Sequence, residues 1–503
     1  MLRIPRIPTT FNNEIFVSLG GNEWPADYDY LNYKAKNTDY DVWINNRECE
    51  VRECRVSAMP FNRPWPGRQR DIFQSESAGF ITFTADEEVN LHVKCKKQFQ
   101  KAVVRPLSKA IVPTVKDNDI FLKLTHPGSY VLELDDEHNA LHIFFNSFKE
   151  FPDEKKATYY FGPGIHFPGV INVKDNDVVY IDEEAIVFGS INSIGAKNVR
   201  VYGGGVLDNS CEERITEHCY ENFTKGTFRL YNCEDVIIED IILLNSSTWV
   251  LALFNCNNIT IDNVKIIGHW RYNTDGIDIV NSSNVSVQNS FVRSFDDTIN
   301  IKGIYDYDKT IENIVVHNCV LWCDWGLNCG IGVETAAPEF RNIVFRNSDL
   351  IHSSYASLAI VSGCHTEIHD VTFEGLNIEY QKSTLPQIMQ QNMGHEYDGY
   401  GKINTPFLIK ATNESYAIRT KNKSGVVRKT SPIQGNIHDI VYKNLHVYME
   451  EGLPKPIIRL CSYDKNVKFT GFCIDGIFVN DNKQEDLELF TVETKNVENV
   501  IVM

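Results

Sequence analysis

Asn258-Ile-Thr-Ile, Asn284-Val-Ser-Val, Asn313-Ile-Val-Val and Asn342-Ile-Val-Phe repeat one phrase: a short polar residue, a β-branched residue, then alternation. Asn198-Val-Arg-Val, Asp235-Val-Ile-Ile, Asp370-Val-Thr-Phe and Asp439-Ile-Val-Tyr carry it to either side. Between Asp235 and Asp370 the phrase returns at intervals of roughly 20 to 30 residues, a period typical of stacked repeats. A βαβ unit needs about 30 residues or more with its crossover helix, and no helical period fills the intervals.

Each unit reads as a short β-branched strand, a polar turn holding Asn, Gly or Asp, and a further strand, so equivalent positions stack coil upon coil. Asparagine tolerates the left-handed conformation that a sharp solenoid corner demands. The leucine consensus of a horseshoe and the four-strand period of a propeller blade are both missing. The reading is an all-β chain whose main body is a right-handed parallel β-helix, with a large antiparallel sandwich as the alternative.

The N-terminal part lacks the repeat. Ala78-Gly-Phe-Ile-Thr-Phe-Thr, Val89-Asn-Leu-His-Val-Lys and Tyr130-Val-Leu-Glu-Leu alternate between Gly, Pro, Asn and Asp turn signals, the pattern of an antiparallel β-sandwich. This divides the chain into an N-terminal β-sandwich domain, 1–152, and a β-helix domain, 153–503, in which the repeat lapses around 381–435. Such an insertion grows from one corner of a solenoid, where it either walls a cleft or makes the subunit contact of a homo-oligomer.

The 503 residues carry a formal net charge of -18, which speaks against nucleic acid as partner because phosphate binding needs a basic footprint. Nowhere do about 18 apolar residues run together, and Met1-Leu-Arg-Ile-Pro-Arg-Ile-Pro has no apolar core of a secretory signal. No membrane association is expected. The 13 cysteines form no CxxC pair and no Cys/His cluster at zinc spacing, so neither a metal nor another cofactor is expected. Cys233, Cys256 and Cys319 recur at one place in the repeat and read as a buried stack of reduced thiols. Reduced thiols fit a cytoplasmic location, with export as the alternative.

The densest chemical signal is Asn273-Thr-Asp-Gly-Ile-Asp-Ile279 followed by Phe295-Asp-Asp-Thr-Ile-Asn-Ile-Lys-Gly303. Asp275 precedes Asp296 by 21 residues and Asp297 by 22, close to one coil, which places the three on successive rungs. Strands lie about 4.8 Å apart, so diagonal offsets allow the carboxyl separation of roughly 6.5–9.5 Å that leaves room for a water beside a sugar. Crowded carboxylates raise one another's proton affinity, leaving one protonated as an acid while another activates water. Strand parity puts Asp296 on the outward phase and Asp297 on the inward one, so a bend at the strand entrance is needed to expose both.

The run Asn245-Ser-Ser-Thr-Trp249, Asn273-Thr-Asp-Gly-Ile-Asp and Asp296-Asp297 resembles the core of the β-helical glycoside hydrolases, the clan of polygalacturonases (family 28) and dextranase/isopullulanase (family 49). The likeness covers about 155–380, and the N-terminal sandwich is similar in layout to the dextranase branch. The resemblance implies an inverting glycosidase in which Asp275, Asp296 and Asp297 are catalytic, Asp296 being the general acid. The Gly-His-Gly and Arg-Ile-Lys motifs of polygalacturonases are not matched: the corresponding stretch reads Asn328-Cys-Gly-Ile-Gly-Val-Glu334, and Ser353-Ser-Tyr-Ala-Ser follows without a basic pair. A neutral glycan such as an α-glucan is therefore expected over galacturonan.

Around the trio, Trp249, Trp270 and Trp325 are candidates for stacking on sugar rings. Asn273, Asp278, His269, Lys302 and Glu334 are candidates for hydrogen bonds to hydroxyls. The rival readings are a β-helical polysaccharide lyase with Lys302 as base, and a noncatalytic glycan-binding solenoid.

Overall fold

The repeated phrase opens the strands of one face of a three-faced parallel solenoid. The computed structural model describes residues 1–8, 36–58, 75–151, 154–212, 226–380, 406–414 and 435–503, and the backbone of 390–392, 396–397, 417–422 and 425–430. Its first face runs from strand Lys197–Tyr202 through Glu234–Glu239, Asn257–Asp262, Ser283–Gln288, Ile311–His317 and Glu339–Arg346 to Asn436–Met449. The second holds Ile242–Leu244, Lys265–Ile266, Phe291–Ser294, Val320–Cys323 and Asp349–Ser353; the third holds Phe228–Tyr231, Leu251–Phe254, Ile277–Val280, Ile299–Gly303, Leu327–Thr335 and Ala356–Ser362. Every coil-to-coil pairing among these strands is parallel.

The phrase works because each of its residues has one task. The opening residues Asn198, Asp235, Asn258, Asn284, Asn313, Asn342, Asp370 and Asp439 all have φ between 50° and 57°, a left-handed corner that short polar side chains tolerate best after glycine. Their amides then link the coils: Asn313 Nδ2 donates to Asn284 Oδ1 at 2.9 Å, and Asn342 Nδ2 to Asn313 Oδ1 at 2.6 Å. The β-branched residue immediately after each positive-φ corner points inward. Ile259, Val285, Ile314, Ile343, Val371 and Ile440 are register partners in one interior column, all buried, and each such side chain contributes about 1.5–3 kcal/mol by leaving water. Cys233, Cys256 and Cys319 lie in the same interior, and no described cysteine is in a disulfide.

Two sheets precede the solenoid. One contains Tyr40–Ile44, Arg47–Cys49, Val89–Cys95, Thr114–Lys116 and Asp119–Leu124 in antiparallel pairing; the other contains Leu2–Arg3, Arg52–Ser57, Ser75–Ala85, Ala102–Arg105, Gly128–Leu134 and Asp136–Asn146. One pairing departs from the antiparallel pattern: Asp136–Asn146 runs parallel to Ser75–Ala85. Alternation within single strands does not encode which way a neighbour runs.

The second sheet lies on the outer side of the solenoid's second face, where Phe80 and Phe144 meet Phe291, Val320 and Trp322 in one apolar cluster. Charges are enclosed with them. Arg105 pairs with Glu133 at 2.6 Å and with Glu379, and Arg293 stacks on Trp322 at 3.5 Å. Removing one member of such a buried pair leaves its partner uncompensated.

Within 381–435, Phe407–Asn413 is a regular rung of the third face, paired with Ala356–Ser362 and Ile457–Cys461. The two hairpins Gln390–Asn392/Glu396–Tyr397 and Ala417–Asn422/Gly425–Thr430 pair only within themselves, and most of the remaining insertion lies outside the described residues. No helix among the described residues is long and apolar enough to cross a membrane.

The corner geometry gives a direct test. Asn313→Ala should destabilise the chain by about 2 kcal/mol, from left-handed strain plus lost amide bonds, whereas Asn313→Gly keeps the corner and should cost less. Urea denaturation of the two variants side by side checks the order.

Candidate active site

The three aspartates stand at the corner between the second and third faces. Ile277 pairs with Ile299 and Asp278 with Asn300, so Asp275 and Asp297, each two residues before those isoleucines, hold the same place on successive coils. Ile277, Ile279, Ile299 and Ile301 fill the interior while Asp278 and Asn300 stand on the other phase. The parity conflict at Asp296 and Asp297 is resolved locally. Strand geometry begins only at Ile299, and in the preceding bend both aspartates are half-buried. The bend is pinned by the Ser294 hydroxyl, which donates to the Asp296 carbonyl at 2.7 Å.

Lys302 organises the cluster. Its Nζ lies 2.6 Å from Asp275 Oδ2, 2.7 Å from Asp278 Oδ1 and 3.4 Å from Asp297 Oδ2, and it rests 4.2 Å from the Trp249 ring centroid. Burial disfavours the ammonium, but Asp275, Asp278 and Asp297 outweigh it and hold the group charged well above its usual range. One cation cannot balance four carboxylates in a low-dielectric site, so the proton affinities of Asp275, Asp278 and Asp296 rise. Burial, then the charge of Asp297, pushes Asp296 up to about 7. Burial pushes Asp278 up to about 6 against the pull of Lys302, and raises Asp275 well above the carboxylate range.

The carboxyl groups differ in their partners. Asp297 Oδ1 accepts the Leu327 N–H at 2.8 Å, and its Oδ2 accepts from Asn300 Nδ2. Asp296 Oδ2 accepts from Asn273 Nδ2 at 3.2 Å. Asp275 Oδ1 is buried with no hydrogen-bond partner.

Of the other candidates, Asn273, Asp278, Lys302 and Trp249 join the cluster directly. Trp249 does so with its ring covered by the lysine rather than open to a sugar. Trp325 is half-buried against Phe295 and Tyr272, beside Asp296 in sequence register, and forms a wall. Glu334 acts on Lys302 through its charge. His269 does not reach the trio: it is fully buried, with Nδ1 accepting the Ser246 N–H and Nε2 against the Leu243 carbonyl. Burial lowers its proton affinity, to about 3, so it supports the corner as a neutral ring. Trp270 is buried with Arg271 over its face.

Two contributors escaped the sequence reading. Asn300 bridges Asp297 and the Gly332 carbonyl. Gly326, one coil beyond Asp297, passes so close that a Cβ there would stand 2.5 Å from Asp297 N and Oδ1 and 2.7 Å from Asp296 Oδ1. The signal for it was the coil spacing, but the close approach exists only once the coils stack.

A model of the family described as Glycosyl hydrolases family 28 matches residues 161–413, half of the chain. The chain belongs to this family. Among its relatives, an exopolygalacturonase from Cochliobolus carbonum is 24% identical over 63% of this chain and 78% of its own length. A probable rhamnogalacturonase B from Aspergillus terreus is 28% identical over 29% of this chain and 26% of its own. The solved structure of Dex49A from Penicillium minioluteum superposes with a TM-score of 0.55 over 91% of this chain and 92% of that one, at 14% identity. This is a likeness of fold that includes the region before the solenoid.

Two outcomes follow from the packing. Gly326→Ala should displace the aspartate pair and lower kcat/KM by about 100-fold, with an unchanged circular dichroism spectrum. Asp296 holds a proton in the folded state between about pH 4 and 7 that the unfolded chain releases, so its burial costs stability as pH rises through that window. Asp296→Asn should therefore raise Tm relative to the wild type more at about pH 8 than at about pH 4, as read by differential scanning calorimetry.

Proposed function

We propose that this family 28 glycosidase works by single displacement with inversion, Asp296 donating the proton to the leaving oxygen and Asp275 and Asp297 activating water. The observation that carries the reading is the geometry of four crowded carboxyls, three of them in contact with Lys302 and Asp296 outside that contact. Asp296 is raised to about 7 and forms no ion pair among the described residues, so it keeps its proton at mildly acidic pH, as a general acid must, whereas Asp275, raised by burial, is drawn back toward the carboxylate by Lys302 at 2.6 Å. Asp297 accepts from the Leu327 N–H and the Asn300 amide, contacts that hold its carboxyl in place beside a water. Lys302 is engaged by three carboxylates, which opposes its use as the base of a lyase.

For the substrate, a neutral glycan remains the reading from the sequence. Its support is local: Gly330 and Ala359 follow Asn300 in register without charge, but the same row then brings Lys410 and Arg459, cations that a neutral chain does not require. A uronide is the second reading, favoured by the exopolygalacturonase relative, by those cations and by one further placement beside the trio. Arg229 shares the outward row of Ala252 and Asp278 and is buried with Nε and Nη2 lacking hydrogen-bond partners, a placement able to receive a sugar carboxylate.

The test is a product-resolved screen of neutral α- and β-linked oligosaccharides beside oligogalacturonides, followed by NMR of the first-formed anomer. Inverted product is expected, with activity falling above about pH 7 as Asp296 loses its proton. Asp296→Asn should lower kcat by about 100- to 10,000-fold. Retained anomeric configuration, an unsaturated product or an unaffected Asn variant would sink the assignment, and turnover confined to oligogalacturonides would replace the neutral substrate with a uronide.

A further inference from the structure

At the opposite edge of the second face from the aspartates, the corner between the first and second faces looks across a cleft at the N-terminal sheets. The cleft has a volume of about 700 Å³, within the roughly 300–1,000 Å³ typical of ligand sites. We propose that it is an accessory binding site for a neutral oligosaccharide chain, separate from the catalytic groove.

One wall is a ladder. Asp240, Asn263, Asn289, Asn318 and Asn347 occupy one left-handed corner on five successive coils, with φ between 48° and 61°. At about 4.8 Å per coil they span about 19 Å, long enough for a short oligosaccharide and matched to a repeating ligand. The lower rungs have partners: Asn263 Nδ2 donates to Asp240 Oδ1 at 2.5 Å, and Asn289 Nδ2 to Asp262 Oδ1, next to the ladder, at 2.7 Å. Asn318 and Asn347 have no such partner among the described residues, and both are exposed. Each offers a planar pair of donor and acceptor, the geometry that grips adjacent hydroxyls.

The facing wall supplies Phe148, an exposed aromatic ring with Arg3, itself paired with Glu183, over one face at 5.6 Å; its other face suits the apolar side of a sugar. The cations of the cleft are already matched: Lys149 by Glu239, Asp240 and Asp262, and Lys109 by Asp349. With no spare positive charge on these walls, an uncharged, hydroxyl-rich chain fits better than an anionic one. The inference rests on the glycan chemistry of the family and not on which aspartate gives the proton.

The test uses the full chain carrying Asp296→Asn, with and without Asn318→Ala/Asn347→Ala or Phe148→Ala, and neutral hexasaccharides of the α-glucan, β-glucan, xylan and galactan series as probes. Hydrogen exchange read by mass spectrometry should show protection of 125–130 and 145–149 by at least one probe at millimolar concentration, reduced about 10-fold in apparent affinity by the paired Asn variant or by Phe148→Ala. In the active enzyme the paired Asn variant should raise KM for a polymer several-fold while an aryl monoglycoside is turned over as before. Three results would each overturn the proposal. They are protection confined to the catalytic corner or absent with every probe, protection unchanged by the variants, and a change of the wild-type sedimentation coefficient by the paired Asn variant, which would make the occupant a second copy of the chain. Loss of inversion or of the Asp296 effect would leave this result untouched.

Discussion

Parallel register between coils is the constraint on which everything else depends. A residue and its equivalent one turn later, 20 to 30 positions away, become neighbours about 4.8 Å apart. Backbone hydrogen bonds fix that distance. What a side chain meets is then decided less by its local sequence than by the residue occupying its place on the coils above and below. The interior column from Ile259 to Ile440 and the Asn ladder from Asn284 to Asn342 are two outcomes of this rule, one apolar and one polar.

The same rule concentrates charge at the aspartate corner. Stacking brings Asp275 beside Asp297 and Asp278 beside Asn300, with Lys302 one step along the strand. Water would screen these charges, but the Trp249 ring beneath the lysine and the neighbouring coils exclude it. Proton affinity is therefore set by what each carboxyl touches. The close pass of Gly326 belongs to the same economy of space, since any side chain there would occupy the volume of the aspartate pair.

The N-terminal sheets contribute through the second face, the short strip that separates the aspartate corner from the cleft. Their contact encloses the pairs Arg105–Glu133 and Arg105–Glu379 and the stack of Arg293 on Trp322. Arg293 and Asp296 lie in one short segment, so the packing of the sheets bears on the bend that carries Asp296 and Asp297. A buried ion pair adds little net stability over an apolar contact but penalises a misplaced one, which suits a contact that must hold one orientation.

The solenoid was legible in the sequence because its signal is periodic: an Asn or Asp corner followed by a β-branched inward residue has few other structural meanings. The aspartate trio was legible for the same reason, as coil spacing converts a separation of 22 residues into adjacency. Beyond that point the sequence was silent or ambiguous. His269 and Trp249 read as open groups in the motif, yet packing buries the first as a neutral ring and covers the second with a lysine. Asn300 and Gly326 gain their meaning from atoms one coil away, and the parallel pairing of Asp136–Asn146 with Ser75–Ala85 is invisible to alternation. Periodicity determined the fold and the neighbourhood of the carboxylates; only the tertiary structure decided which of them share the lysine and which are shielded from water, because those depend on stacking across coils and not on order along the chain.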